Sequence, residues 1–246
     1  MKIKELFKKV KGNNLITIVL SISCIIMIGI TINNTEKYNL FSFCYPIEHI
    51  WQYFTGIFVH GIPNISYAFS IGHLCFNLVM LVFWGLLVEK IIGDKAFSIL
   101  VIITWIFNSL AIQIYGRLFI PIGETGRGAG ISCICFMLGT IGIYILLKLY
   151  KNNKKAIFKQ LLGIIYLNLI FALIVMFNPF VAGIASFAIH TLGVMIGIIY
   201  ILVNKKNIDI KIDNIVSDEN IINDKLKVIY FWLVVPIFII IINIFN

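Results

Sequence analysis

Four polar side chains that could support nucleophilic catalysis lie within apolar stretches of this sequence: Ser132, His190, His73 and Asn77. A serine hydroxyl becomes a nucleophile when a base removes its proton, and histidine is the usual base. The oxyanion that then forms needs preorganised donors, commonly backbone N–H groups and Asn or His side chains. These residue types therefore indicate a hydrolase in which Ser132 attacks, His190 acts as base, and His73 and Asn77 stabilise the oxyanion.

The local spacing of these residues supports the same interpretation. His73 and Asn77 are four residues apart, so they share one face of a helix. Three glycines precede Ser132 in the stretch GRGAGISC, which allows an irregular backbone and close helix approach. The stretch HTLGVMIG begins at His190 and carries two glycines four residues apart, a spacing that lets a second helix come very near. We therefore expect His190 to be pressed against a neighbouring helix.

The composition excludes a soluble globular chain. Of the 246 residues, 60% are hydrophobic and only 13% are charged, and the mean hydropathy is +0.99. Soluble domains are typically about 45–50% apolar and about 25% charged. The sequence therefore predicts an all-α polytopic membrane protein.

Seven apolar runs are long enough for a membrane helix, which needs about 17–25 residues. They are residues 14–32, 72–92, 96–115, 130–150, 161–178, 184–203 and 228–245. The first run is too long for a signal peptide and lacks a small-residue cleavage site, so we expect an uncleaved anchor.

The basic residues set the orientation, because cytoplasmic segments carry an excess of Lys and Arg. Of the 20 Lys and Arg residues, 17 fall on one side of the predicted spans, and only Lys37, Arg117 and Arg127 fall on the other. This predicts a cytoplasmic N-terminus and a C-terminus outside. The net charge of +9 is then explained by topology, and a nucleic-acid partner is not expected. The second, fourth and sixth spans would all enter from outside, which puts the four polar residues at similar depth in the outer leaflet.

The longest outer connection, residues 33–71, has an amphiphilic centre. Its Trp51, Tyr53, Phe54 and Phe58 suit the membrane interface, where aromatic rings are favoured. His49 and His60 lie in the same loop, where a solvated or interfacial role is sufficient. The five cysteines are an odd number and only Cys44 lies in a clear loop, so no disulfide framework is expected.

Metal and transport functions are weaker interpretations of the polar cluster. A zinc site needs about three protein ligands, and neither an HExxH motif nor a carboxylate accompanies the histidines. An ion-coupled transporter would favour a carboxylate inside the membrane, and the predicted spans contain none away from their ends. Glu89 lies a helix length from the predicted site. We therefore expect no metal.

The motifs that contain these residues resemble those of the rhomboid intramembrane serine proteases, over roughly residues 45–200. GHLCFN matches the family's HxxxN, GISC matches most of its GxSG, and HTLGVMIG matches its HxxGxxxG; the matching residues are His73, Asn77, Gly130, Ser132, His190, Gly193 and Gly197. Each motif is short, but their order, spacing and topology are specific together.

The resemblance implies both a fold and an activity. Ser132 would be the nucleophile, His190 the base, and the Ser132 N–H, His73 and Asn77 the oxyanion donors, without a cofactor. The family's fold is a six-helix bundle around a water-filled cavity that opens to the outside. Its substrates are transmembrane proteins, cut near the outer face of the bilayer. The predicted parts are a basic N-terminus (1–13), the six-helix domain (14–203), a cytoplasmic linker (204–227) and one extra C-terminal transmembrane helix (228–246), seven spans in a bacterial plasma membrane.

The sequence departs from the family pattern at named positions. Cys133 replaces the glycine after the serine, and Gln52 replaces the arginine that usually follows Trp51, a change that concerns loop anchoring. The segment between His60 and His73 is longer than usual. Phe136 occupies the position of the aromatic ring that packs on the catalytic histidine in relatives. Two alternatives stay open: a non-catalytic rhomboid-like protein that binds membrane segments, and a small transporter.

Overall fold

The computed structural model describes residues 14–60, 67–149 and 183–216 of the chain. Within these ranges the chain is mostly helical, with one small antiparallel sheet of two strands. In chain order the elements are α1 (Leu15–Thr31), α2 (Thr35–Phe41), β1 (Phe43–Tyr45), α3 (Gln52–Thr55), α4 (Tyr67–Ile92), α5 (Asp94–Phe119), β2 (Gly126–Gly128), α6 (Ser132–Leu149) and α7 (Gly183–Val216).

Three of these helices, α4, α5 and α7, are long and apolar enough to cross a membrane, and α1 and α6 are shorter apolar helices. Five of the seven predicted spans fall on these five helices. The predicted spans at 161–178 and 228–245 lie outside the described residues, so the arrangement of six helices plus one stays a prediction. Large apolar side chains are exposed along α1, α5 and α7, as expected of surfaces that face lipid.

The start of α1 is held against the end of α4 by the buried carboxylate of Glu89. It accepts hydrogen bonds from the N–H groups of Ile16 (3.1 Å) and Thr17 (3.0 Å), and from the Thr17 hydroxyl (2.6 Å). N–H groups in the first turn of a helix have no partner within the helix, and a negative charge there also interacts favourably with the positive end of the helix dipole. Glu89 thus caps α1, about three turns along α4 from Asn77.

Helix α6 lies at the centre of the bundle and packs against α4 through an indole ring on glycines. Trp84 is 1% exposed. A Cβ atom added to Gly142 would lie 2.8 Å from Trp84 Cζ3, so only glycine lets the ring reach the α6 backbone here. The α6 residues that complete this core are Met137, Leu138, Ile141 and Ile145.

The predicted outer loop is folded over residues 35–60. Its strand β1 pairs with β2, and Cys44 and Arg127 face each other in the register. Helix α5 holds this loop through three side chains: Gln113 donates to the Cys44 carbonyl (2.7 Å), and Trp105 (2.8 Å) and Ser109 (3.0 Å) both donate to the Tyr53 carbonyl. We call this end of the bundle, where β1 and β2 lie, the sheet end, and the opposite end the Glu89 end.

The loop aromatics divide between the surface and the interior. Trp51 and Phe54 are 42% and 57% exposed, as expected of interfacial rings. Phe58 instead packs edge-on against Trp105, with ring centroids 5.5 Å apart. Backbone carbonyls of the loop, those of Phe41, Cys44 and Tyr53 among them, accept hydrogen bonds from side chains of α3 and α5, which makes this loop a fixed part of the fold.

Helix α7 continues well beyond the predicted sixth span, which ends at residue 203. Its last turns carry Ile208 and Ile212, which are 2% and 1% exposed and belong to the core. Asp209 accepts hydrogen bonds from Tyr144 (2.6 Å) and Lys148 (2.9 Å) of α6. The predicted boundary between membrane domain and linker therefore lies within a packed helix.

Candidate active site

Ser132 is the first residue of α6 and lies at the sheet end, half-buried. The Ile131 carbonyl accepts the N–H of Cys135 (3.1 Å), so the helical hydrogen bonding begins immediately before the serine. The N–H groups of the first turn, including that of Ser132, have no partner inside the helix, and the positive end of the helix dipole lies there. This is a local environment that favours a developing negative charge.

His73 and Asn77 of α4 lie against the backbone just before Ser132. Gly130 has φ +116°, and a Cβ added there would lie 3.0 Å from His73 Cε1 and 3.8 Å from Asn77 Nδ2. The Cys135 thiol donates to the Asn77 carbonyl (3.4 Å), which joins α4 to α6 at this level. The predicted pair on α4 therefore lies beside the start of α6.

The Asn77 amide is buried at this point and has no hydrogen-bond partner among the described residues. The residue is 1% exposed, and neither its Oδ1 nor its Nδ2 is bonded to any of the described residues. Burying an amide without partners is costly, commonly about 1–3 kcal/mol. Side chains left in this state often belong to functional sites, where a reacting group completes their bonding.

Helix α7 contacts the first turns of α6 through glycines, so the two backbones touch. A Cβ at Gly193 would lie 3.1 Å from the carbonyl carbon of Cys133, and one at Gly197 would lie 2.9 Å from the Met137 oxygen. Because the later glycine of α7 contacts the later residue of α6, the two helices run parallel. The predicted close approach at Gly193 and Gly197 is observed.

His190 lies one turn before Gly193, level with the start of α6. Its ring stacks on Phe136, with centroids 4.2 Å apart and an interplanar angle of 16°. Phe136 is one turn beyond Ser132, and helical side chains lean towards the N-terminus, so the stacked imidazole lies towards the serine. No hydrogen bond joins Ser132 to His190 in the part of the chain described; such bonds are often long in enzymes without substrate.

His60 is a member of this cluster that the sequence did not indicate, and the expectation of a solvated or interfacial role for it is wrong. It is fully buried, and its ring centroid is 5.1 Å from that of His73. Its Nδ1 lies 2.9 Å from the Phe58 carbonyl, which can only accept, so Nδ1 carries the proton. Burial, together with the nearby His73, lowers the pKa of His60 to about 3, which keeps the ring neutral at pH 7. The apolar run Ile57–Val59 before it was the available signal.

The structure therefore gathers the predicted residues at one end of the bundle: the oxyanion candidates on α4, the nucleophile candidate on α6 and the base candidate on α7. Glu89, the nearest buried carboxylate along α4, is at the other end. In the described ranges no group of three or more His, Cys, Asp or Glu residues could hold a metal ion. The arrangement offers a hydroxyl, imidazoles, a buried amide and a helix N-terminus, a set suited to hydrolysis of an acyl group.

The family model for the Rhomboid domain matches residues 48–207. This range covers well over half of the chain and contains α3 to α6 and most of α7. The chain therefore belongs to the rhomboid family, and it is a mostly helical integral membrane protein. The family is in general one of intramembrane serine proteases that act on membrane-protein substrates within the bilayer, and it includes inactive members. No curated protein matches the chain.

Proposed function

We propose that this protein is an active intramembrane serine endopeptidase that cleaves transmembrane substrates near the outer membrane face. The observation that carries the proposal is the convergence of α4 and α7 at the start of α6. Gly130 lies against His73 and Asn77, while the His190 ring stacks on Phe136 one turn beyond Ser132.

The proposed reaction begins when His190 takes the proton from the Ser132 hydroxyl, whose oxygen attacks the carbonyl carbon of the scissile peptide bond. The carbonyl oxygen becomes an oxyanion, which the Ser132 N–H, His73 and Asn77 stabilise. His190 then donates its proton to the leaving amine as the C–N bond breaks, which leaves an ester on Ser132. Water attacks this ester with His190 again as base; the bond from the acyl carbon to the Ser132 oxygen breaks, His190 returns its proton to that oxygen, and the carboxylic acid product is released.

The dyad has no carboxylate to orient its histidine among the described residues. The stack on Phe136 and the glycine contacts of α7 would perform that task by restricting the imidazole to one plane. A substrate helix would need to unwind locally, because a helical carbonyl is hydrogen-bonded and shielded by its own side chains. The reaction needs no cofactor.

The orientation is part of the proposal. With the sheet end outside, water would reach Ser132 from the outer side, and the cut would fall close to the outer surface. The N-terminus would then be cytoplasmic, as the distribution of Lys and Arg predicts. Residues 14–203 would form the six-helix domain, with the seventh span after the linker.

The decisive experiment compares wild-type protein with Ser132→Ala in cleavage of a helix-destabilised transmembrane substrate in detergent. We expect cleavage by the wild type alone, since loss of a catalytic serine costs about 10⁴–10⁶-fold. Equal cleavage by both would assign the reaction to another nucleophile. If neither cleaves, a serine-reactive phosphonate probe follows, and absence of labelling at Ser132 would favour the binding protein over the protease.

Asn77→Ala tests the oxyanion assignment. We expect kcat to fall by about 10²–10³-fold with little change in KM, because an oxyanion donor acts mainly in the transition state. Steady-state kinetics on the same substrate measure both constants. The matched control is Asn108→Ala, which removes a second buried amide (1% exposed) from α5 and should leave kcat unchanged in the folded fraction. An unchanged kcat for Asn77→Ala would exclude this residue from the oxyanion hole.

A further inference from the structure

The segment that leads into Ser132 is tied to the outer loop by hydrogen bonds on both sides of Arg127. Strand β2 pairs with β1, and two residues later the Gly130 N–H donates to the Gly56 carbonyl (3.1 Å). Gly130 is also the residue that lies against His73 and Asn77. The position of the loop therefore determines where the backbone before Ser132 can lie.

Arg127 makes the strongest of these connections. Its Nη1 donates to the Asn39 carbonyl (2.6 Å), and its Nη2 donates to both oxygens of Glu48 (2.8 and 2.9 Å). Charge-assisted bonds of this kind are roughly twice as strong as neutral ones, and the planar guanidinium also fixes direction. The Arg127 side chain is 20% exposed and that of Glu48 40%, so solvent screens the ion pair in part.

Gln52 completes the same network from inside the loop. It is fully buried, its Nε2 donates to the Asn39 carbonyl (2.9 Å), and its Oε1 accepts the N–H groups of Glu48 (3.2 Å) and His49 (3.1 Å). Gln52 stands where the family resemblance leads one to expect an arginine. Here a buried amide holds the loop internally, while an arginine from β2 reaches the same carbonyl from the other side.

We propose that Arg127, Glu48 and Asn39, which we call the outer clamp, act as positioning residues that hold the Gly126–Ile131 segment so that the Ser132 N–H and Gly130 stay in register with His73 and Asn77. The bonds of Arg127 go to Asn39 and Glu48 rather than to Ser132 or His190, so the clamp would act through the backbone that carries the nucleophile. This role rests on the proposed protease function. The hydrogen bond from Arg127 also lowers the pKa of the Glu48 carboxyl. The ion pair therefore persists at the pH values at which a histidine base is neutral.

Cys44 provides a readout of the clamp that does not depend on catalysis. It faces Arg127 in the strand register, and its side chain is fully buried. Burial raises the pKa of the Cys44 thiol, and the Arg127 charge lowers it, so loss of the arginine by itself would slow alkylation. Faster alkylation of Cys44 in an Arg127 variant therefore reports opening of the strand pair.

The experiment uses the full chain in detergent, with Arg127→Gln, Arg127→Lys, Glu48→Gln and the Glu48→Gln/Arg127→Gln double variant. Maleimide labelling of the Cys44 peptide is measured by mass spectrometry, beside kcat and KM for the transmembrane substrate. The control is Arg117→Gln, which removes an exposed arginine at the end of α5 that bonds to none of the described residues. It should match wild type in both measurements.

We expect Arg127→Gln to label at Cys44 about tenfold faster and to lose about tenfold in kcat, with KM nearly unchanged. Arg127→Lys should lie between it and wild type, because lysine keeps the charge but cannot bond Asn39 and Glu48 together. The kcat of the double variant should be no lower than that of Arg127→Gln, because the effects of substituting residues that act as one unit do not add.

Two results would overturn the proposal. Unchanged Cys44 labelling in Arg127→Gln would mean that the strand pair does not depend on the clamp. Faster labelling with an unchanged kcat would mean that the clamp is structural and does not position Ser132. If wild type neither cleaves nor reacts with the phosphonate probe at Ser132, the protease function fails, and Cys44 labelling still decides whether the clamp holds the segment.

Discussion

Gly130 is the residue on which the geometry of the site depends most directly. It combines a φ of +116°, which side-chain-bearing residues rarely adopt, with contact to both His73 and Asn77. In Gly130→Ala the new methyl group would push the imidazole away, and we expect kcat to fall by more than tenfold. Because a residue with a side chain is strained at this positive φ, the variant should also lose about 1–2 kcal/mol of stability.

Gly123→Ala separates the two effects at Gly130. Gly123 has φ +92°, but a Cβ there would meet nothing within 4 Å. This variant should therefore share the loss of stability, measured as a lower Tm in detergent, while keeping the wild-type kcat. If both alanine variants lost the same activity, backbone strain rather than contact with His73 would be responsible.

His60 predicts a dependence of stability on pH. Its folded-state pKa of about 3 lies below the usual 6.5, so the unfolded chain takes up the proton first as pH falls. Stability should thus be full above pH 6.5 and be lost progressively down to about pH 3. At pH 5 the loss from this residue is about 2 kcal/mol, or about 4–8 °C in Tm.

His60→Asn is the variant that tests this dependence, because an asparagine amide can still donate to the Phe58 carbonyl but does not titrate. Thermal unfolding between pH 7.5 and pH 5 should show a smaller drop in Tm than wild type. His49→Asn, which removes a partly exposed imidazole from the same loop, is the control. An equal drop in wild type and His60→Asn would contradict the assignment.

At the level of single residues, the sequence could identify side chains but not all of their surroundings. His73, Asn77, Ser132 and His190 were found because their spacing and depth place them at one level of the membrane. His60 was missed because its burial against His73 is a tertiary contact, of which the apolar run Ile57–Val59 is only an indirect local sign. That the Asn77 amide has no hydrogen-bond partner among the described residues is likewise a result of tertiary packing.

At the level of the elements, the contact between α6 and α7 decides whether the candidate base meets the candidate nucleophile. Gly193→Ala would place a methyl group against the Cys133 carbonyl and within 3.2 Å of the Met137 nitrogen. Both are backbone atoms that cannot turn aside, so α7 must shift. A displacement of about 1 Å can cost about 100-fold in rate, and we expect a loss of kcat of that order.

The control for this variant is Gly29→Ala in α1, where an added Cβ meets nothing within 4 Å. Alanine is the better helix former, so this change should raise stability by about 0.5–1 kcal/mol and leave cleavage unchanged. The stack of His190 on Phe136 can be followed independently, by the NMR shift of the imidazole. Wild-type kcat in Gly193→Ala would show that the backbone contact is not needed to align the dyad.

Helix boundaries show where hydropathy stops being informative. The predicted sixth span ends at residue 203 because Asn204, Lys205 and Lys206 follow, yet α7 continues to Val216. It does so since Ile208 and Ile212 are buried in the core and Asp209 bonds to Tyr144 and Lys148. Hydropathy detects lipid contact, whereas this extension is stabilised by contacts between protein segments.

At the level of the whole molecule, the fold separates two ends with different chemistry. The Glu89 end is closed by a carboxylate that caps α1 and by the Asp209 contacts between α7 and α6. The sheet end carries the folded loop and the candidate site. Family membership agrees with the interpretation drawn from the motifs, while the count of seven spans extends to segments outside the described residues.

The distribution of Lys and Arg predicts that the sheet end faces outward. Two introduced cysteines, each in its own variant, can test this. Glu124 is exposed in the connection before β2, and Lys206 is exposed on the extension of α7 at the other end. In intact bacterial cells, an impermeant maleimide should label Glu124→Cys, whereas Lys206→Cys should react only after the membrane is permeabilised. Removing one lysine among 17 on that side leaves the charge bias in place.

The wild-type chain serves as control, because four of its five cysteines are buried. The reverse pattern would place the site towards the cytoplasm, and the predicted cut near the outer face would then be wrong even if Ser132 is the nucleophile.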